Sequence, residues 1–144
     1  MTSAREQYQA AHERVILMDQ SDREHLELTG RDRAAFLHNF CTQEIKKLPA
    51  GSGAEAFVTN IKGKLLGHVL VFVGADAIWL DGPPGTAGKL IPHLDRYLIT
   101  EDVQITDRSA DWSEVGLIGP LAGGVVESLV PGSGAFQMFQ HGSF

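Results

Sequence analysis

The side chains of this chain that are able to do chemistry are few and scattered. Lys62 and Lys64 flank Gly63 at a turn tip, where solvated lysines are the ordinary expectation and an anion-binding role is the alternative. His68 interrupts an apolar run. On an apolar strand it reads as a satisfied core histidine more often than a catalytic one, and inside a core one of its nitrogens needs a partner. Cys41 is the only cysteine. It follows Leu37 and Phe40, so it reads as a small buried hydrophobe and not as a nucleophile. The six histidines (12, 25, 38, 68, 93 and 141) lack the paired spacing of a zinc set, and no metal site is expected. Glu101 and Asp102 stand before a strand and read as its solvated entrance. The 16 glycines form neither G-x-G-x-x-G after a strand nor a G-x-x-x-x-G-K-[ST] loop. No G-x-S-x-G elbow supports a hydrolase triad. These residues name no reaction, and no catalytic residue is assigned.

The elements that must position them start from residues 54–73, AEAFVTNIKGKLLGHVLVFV. β-branched and aromatic residues flank a tight turn at Asn60-Ile61-Lys62-Gly63, in which Gly63 takes a positive φ. Alternation puts Leu66, His68, Leu70 and Phe72 on one face, and Leu65, Gly67, Val69, Val71 and Val73 on the other. Both faces are mostly apolar, as in a central strand covered on both sides. Before this hairpin, Ser3 to Asp19 reads as a helix with Tyr8, Ala11, Val15 and Met18 in one stripe. A short strand at 25–28 follows, then a helix from Asp32 to Phe40 and a second, Thr42-capped helix over 43–48. After the hairpin come a strand at 77–81, a helix begun at Thr86 with Leu90, Ile91, Leu94 and Leu98 on one side, and strands around Val103–Ile105 and 115–118. A last helix carries Leu121, Val125 and Leu129, and a tail from Ser133 to Phe144 holds Phe136, Met138 and His141. The order predicts an α+β fold, a largely antiparallel sheet with packed helices. Its segments are an N-terminal helix (1–23), an α+β domain (24–132) and the tail (133–144).

Composition limits the function classes. At 144 residues the chain has room for one ordinary domain. Its 43% hydrophobic and 21% charged residues are those of a globular protein, not a disordered one. A net charge of −6 opposes direct binding to nucleic acid or to an anionic membrane. The lone cysteine gives no sign of an oxidising compartment, and the longest early apolar run, Val15 to Met18, is far short of a signal peptide or a span. A cytoplasmic protein is expected.

Five runs carry a resemblance. Residues 26–38 read LELTGRDRAAFLH, followed by Thr42-Gln43-Glu44-Ile45 and by 48–53, LPAGSG. The turn and strand Asn60 to Leu66 and the segment 97–103, YLITEDV, follow in order. Together they resemble the folate-binding superfamily of the glycine-cleavage T-protein, the aminomethyltransferases, in its N-terminal part. The lysine-glycine-lysine turn resembles the branch linked to iron–sulfur cluster maintenance and tRNA modification more than the true aminomethyltransferases. The resemblance implies tetrahydrofolate as ligand, no metal, and a pocket assembled from more than one domain. It places Asn60, Lys62, Lys64 and His68 at the ligand. It also implies an acidic pair after the turn, one member being the catalytic aspartate, where this chain has Gly67 and His68. A histidine does not supply that anionic charge beside a folate nitrogen. Two functions follow: a truncated folate-binding domain lacking its catalytic acid, or a non-catalytic module. The module would cover an exposed edge by homo-oligomerising or by docking on a larger partner subunit, as the small subunit of heterotetrameric sarcosine oxidase does.

Overall fold

The structure, a computed structural model, describes residues 3–131. The tail residues Phe136, Met138 and His141 lie outside them. Contacts divide the chain into two compact units, one of Asp22–Ser113 and one of Met1–Ser21 with Glu114–Phe144.

The Asp22–Ser113 unit is built on a five-stranded sheet. Its strands are β2 (Glu24–Thr29), β3 (Gly53–Thr59), β4 (Leu65–Val73), β5 (Ile78–Gly82) and β6 (Gln104–Asp107), in the order β3-β4-β5-β2-β6. Every pairing is antiparallel. The expected hairpin is present, with Gly63 at φ 73° in its turn. The Asn60 Oδ1 atom accepts the backbone N–H groups of Lys62 (2.9 Å) and Lys64 (3.0 Å), so the turn is closed by a side chain as well as by backbone.

Period-2 alternation sends Leu26, Leu28, Ala56, Val58, Val69, Val71, Ile78 and Leu80 to one face, where all are buried. The helices α2 (Arg33–His38) and α3 (Thr86–Asp95) close that core with Phe36, Leu37, Leu90 and Leu94. The burial of such side chains removes about 1.5–3 kcal/mol each from water and is the main stabilisation of the unit.

Three local expectations are corrected. The second short helix is only a 3-10 turn, Ile45–Lys47, and Thr42 does not cap it. Its hydroxyl instead accepts the Phe57 N–H at 3.1 Å, sealing the outer edge of β3. Thr86 does not cap α3 either: its hydroxyl donates to the Pro83 carbonyl, and the N-cap residue is Gly85 at φ 89°. The free N–H groups of Gly85 and Ala87 are taken by the Glu24 carboxylate at 2.8 and 2.6 Å, a cap borrowed from β2. Finally, β4 is not covered on both faces. Phe57 (43%), Leu65 (54%) and Phe72 (37%) are exposed on the side away from the core.

In the other unit, α1 (Ala4–Glu13) begins with a capping box between Ser3 and Glu6. It stops six residues earlier than the stripe to Asp19 predicts. The β-branched pair Val15-Ile16 favours extended backbone, and Ile16–Asp19 forms β1 against β7 (Val115–Ile118). Tyr8 of the expected stripe is 66% exposed. α4 (Ala122–Leu129) completes the described part, and it buries no residue fully. Among the described residues no helix is long and apolar enough to cross a membrane.

Candidate functional site

The site grows out of an irregularity in the hairpin. Val58 pairs with Gly67 but Thr59 pairs with Leu65, so Leu66 is an extra residue and the ladder is bulged there. A bulge re-aims a side chain. Leu66, expected on the face of His68, packs instead with the core and lines a groove opposite it. Gly67 lies against Leu90 of α3, where a Cβ atom would sit 3.4 Å from Leu90 Cδ2.

The groove runs between the turn and α3, encloses about 460 Å³, and is lined by Asn60, Ile61, Lys62, Leu66, Lys89, Pro92, His93, Arg96 and Tyr97. That volume falls within the roughly 300–1,000 Å³ of small-molecule sites. Lys89, His93 and Arg96 recur at four and three residues, which stacks them on one side of the helix. Behind them the rings of Phe40, His93 and Tyr97 pack together, with centroids 5.8 Å apart for Phe40–His93, 5.1 Å for Phe40–Tyr97 and 5.3 Å for His93–Tyr97. His93 is 9% exposed and its buried Nε2 has no hydrogen-bond partner.

Charge in the groove runs against that of the chain. Lys62, Lys89 and Arg96 make no ion pair among the described residues, and no carboxylate lines the groove. Three unneutralised cations around an apolar floor favour an anion that also carries apolar surface.

The four residues expected at a ligand are separated by the structure. Asn60 and Lys62 line the groove, and since Asn60 Oδ1 is engaged by the turn, its amide NH₂ is the part left for a ligand. Lys64 is exposed at the turn and is not a lining residue. His68 projects from the other face of the sheet, where its Nε2 lies 2.6 Å from Glu55 Oε1 and its ring 5.1 Å from that of Phe57. Strand alternation sends it there, so it neither enters the core nor reaches the groove.

The residues missed by sequence reasoning are Lys89, Pro92, His93, Arg96 and Tyr97. Their signal is the i, i+4, i+7, i+8 spacing of Lys89, His93, Arg96 and Tyr97, the face of the helix next to its apolar stripe.

Other motif residues are scaffold. Gly30, at φ 97°, lets the chain pass so close to the Asp102 carbonyl that a Cβ atom would lie 2.0 Å from it. Asp32 Oδ2 accepts the Asp102 N–H at 2.9 Å, and Glu101 accepts the N–H groups of Ile99 and Thr100 at 3.0 Å each. These bonds fix the turn that leaves α3 beside the groove. Cys41 bridges to Val58, and burial pushes its thiol up to about 12, so it is no nucleophile at neutral pH.

An antiparallel α+β domain with a cationic groove at the tip of its edge hairpin, β3–β4, is the class of protein that the fold and site define. The GCVT N-terminal domain matches residues 1–144, and the chain belongs to that family. It is 28% identical over 129 residues to the aminomethyltransferase of Anoxybacillus flavithermus, covering 89% of this chain and 35% of that protein. It is 26% identical over 125 residues to the alpha subunit of sarcosine oxidase from a Corynebacterium species, covering 83% of this chain and 13% of that subunit. The crystal structure of the glycine cleavage system aminomethyltransferase T from Bartonella henselae superposes with a TM-score of 0.74 at 17% identity, over 88% of this chain and 35% of that one. That likeness confirms the expected fold. The chain spans about a third of the length of the aminomethyltransferases it matches.

Proposed function

We propose that this aminomethyltransferase-like domain binds a reduced folate in the groove and does not itself transfer the aminomethyl group. The observation that carries the reading is the set of three unpaired cations, Lys62, Lys89 and Arg96, over the apolar surface of Leu66, Pro92 and Tyr97. A reduced folate is a flat ring system ending in a glutamate dianion, and this donor set suits both of its ends. Asn60, Lys62, Lys89 and Arg96 would hold it. Tetrahydrofolate supplies the nitrogen that accepts the one-carbon unit. The positions of the family's acidic pair hold Gly67, which has no side chain, and His68, which is turned away and joined to Glu55. That supports a domain without the catalytic acid. The Lys62-Gly63-Lys64 turn supports the iron–sulfur maintenance branch.

Calorimetric titration with a stable reduced folate tests the reading. Saturable binding that is weakened in a Lys62→Ala variant is expected, and no heat at millimolar ligand would overturn it.

The exposed apolar residues Phe57, Leu65 and Phe72 favour a second reading, in which the outer face of the sheet docks on a partner subunit or on a second copy. Light scattering that shows a monomer at high concentration would remove the second-copy version.

A further inference from the structure

We infer that two copies of this chain pair through the outer edge of β7, which joins their two-stranded sheets into a single sheet of four strands. The pairing needs neither the groove nor a folate, and it uses a different surface from Phe57, Leu65 and Phe72.

β1 and β7 form a ribbon of two strands, each of four residues. Two strands alone are marginal in water, and further strands or a covering helix are what make a sheet stable. One bond fixes which way each residue turns its backbone. Gln20 N–H donates to the Glu114 carbonyl at 2.9 Å, so that opposed pair is of the hydrogen-bonded kind. Every second pair along the register, Met18–Gly116 and Ile16–Ile118, is then bonded as well. The residues between them turn their N–H and C=O groups outward, Leu17 and Asp19 from β1 and Val115 and Leu117 from β7. None of these four bonds through its backbone to another described residue. Val115 is 51% exposed.

Open strand edges are normally blunted by a charge, a proline or a bulge. Among the described residues the edge strands are β1, β3, β6 and β7. Asp19 stands in β1, Glu55 in β3 and Asp107 in β6, and Thr42 further closes β3. β7, Val115-Gly116-Leu117-Ile118, has no charge and no proline, and its ladder with β1 is unbroken.

A second copy fits this edge because the strand is its own complement. Antiparallel pairing about a two-fold axis at Gly116 sets Val115 opposite the partner's Leu117, and Leu117 opposite the partner's Val115. Both pairs are of the bonded kind, so two hydrogen bonds form in each, four in all. Gly116 meets the partner's Gly116 at the close, non-bonded position, where a glycine lets two backbones approach. The cross-strand pair Leu17–Leu117 is extended by the partner's Val115 into an apolar row over three strands. The same operation on β1, about Met18, sets Leu17 against the carboxylate of the partner's Asp19, so β7 is the better edge.

The test is analytical ultracentrifugation of the full chain over a range of concentrations, together with amide hydrogen exchange. A dimer is expected by roughly 100 μM. The Val115 and Leu117 amides are expected to exchange about tenfold or more slowly there than in dilute solution, while those of Leu17 and Asp19 stay fast. Leu117→Pro removes an N–H that the β1–β7 ladder does not use, and with it two of the four bonds between copies. It is expected to weaken dimerisation about tenfold or more. Leu17→Pro, the same change on the opposite edge, is expected to alter it less than about twofold.

A monomer throughout, a dimer in which the Val115 and Leu117 amides stay fast, or equal loss in the two proline variants would overturn the pairing. Should circular dichroism show that Leu117→Pro does not fold, exchange in the native chain decides alone. A dimer that Phe57→Glu abolishes and Leu117→Pro leaves intact belongs to the outer face of the larger sheet, and would also overturn pairing through β7.

Discussion

The two faces of the β3–β4 hairpin are made from neighbouring residues and behave as different materials. Toward α3, Val69 and Val71 are fully buried, Gly67 touches Leu90, and Leu66 is turned by the bulge into the groove. Away from it, His68 holds Glu55 beside an exposed Phe57, and Phe72 stays partly in solvent. Each face therefore receives one of the two positions at which the family resemblance implies acids. Gly67 lies on the core side without a side chain, and His68 lies on the open side with a partner outside the groove. Strand alternation separates adjacent residues by the thickness of the sheet, so the pair cannot act at one point.

The contrast breaks most severely where the inner face is packed. Leu90→Ala is expected to destabilise the chain by about 2–5 kcal/mol, because it empties space between α3 and both Gly67 and the core. Urea unfolding measures this, and a loss under about 1 kcal/mol would mean that the inner face is not close-packed. Gly67→Asp comes next, at roughly 1–3 kcal/mol, since it sets a carboxylate against the Leu90 side chain without a partner. Aminomethyl transfer is expected to stay at background in that variant. A gain of activity would show that position 67 opens to the ligand.

Cys41 tests the edge of the same sheet through pH. Its thiol in the folded chain is pushed up to about 12 by burial, above that of the unfolded chain, so the folded state keeps the proton longer. The stability this gives is complete below the ordinary thiol range near pH 8.5–9. It falls as the pH rises through that range toward about 12, by about 1.4 kcal/mol per pH unit at most. Melts from pH 8 to 10 are expected to show a steeper decline for the native chain than for Cys41→Ala. Equal slopes would count against a buried thiol.

The smallest effect belongs to the open face. His68→Asn is expected to shift stability by under about 0.5 kcal/mol and to leave ligand binding in the groove unchanged, because the His68–Glu55 pair is about half exposed. Weakened binding in this variant would return His68 to the site and undo the contrast of faces.

Much of the fold was legible in the chain itself. Period-2 runs in β3, β4 and β5, the Asn60–Gly63 turn and the stripe Leu90, Ile91, Leu94 are local signals, and each became the element it indicates. The errors came where a local choice was overruled by a distant partner. The chain from Ile16 is a strand because β7 pairs with it across almost a hundred residues. Thr86 is not a cap because Glu24, from another strand, reaches the helix first.

The candidate site divides in the same way. Residue types and alternation settled that Lys62 stands at an exposed turn, that Gly67 and His68 face opposite ways, and that this chain has no acid at either position. Tertiary structure alone decided that Leu66 leaves its expected face through a bulge. It also decided that Lys89, His93 and Arg96 come to stand opposite Lys62, and that the histidine of the strand is on the wrong side of the sheet to meet them. The reason is one of range: side-chain chemistry and period are written in consecutive residues, whereas a groove exists only once a hairpin and a helix some 30 residues apart in sequence pack on one core.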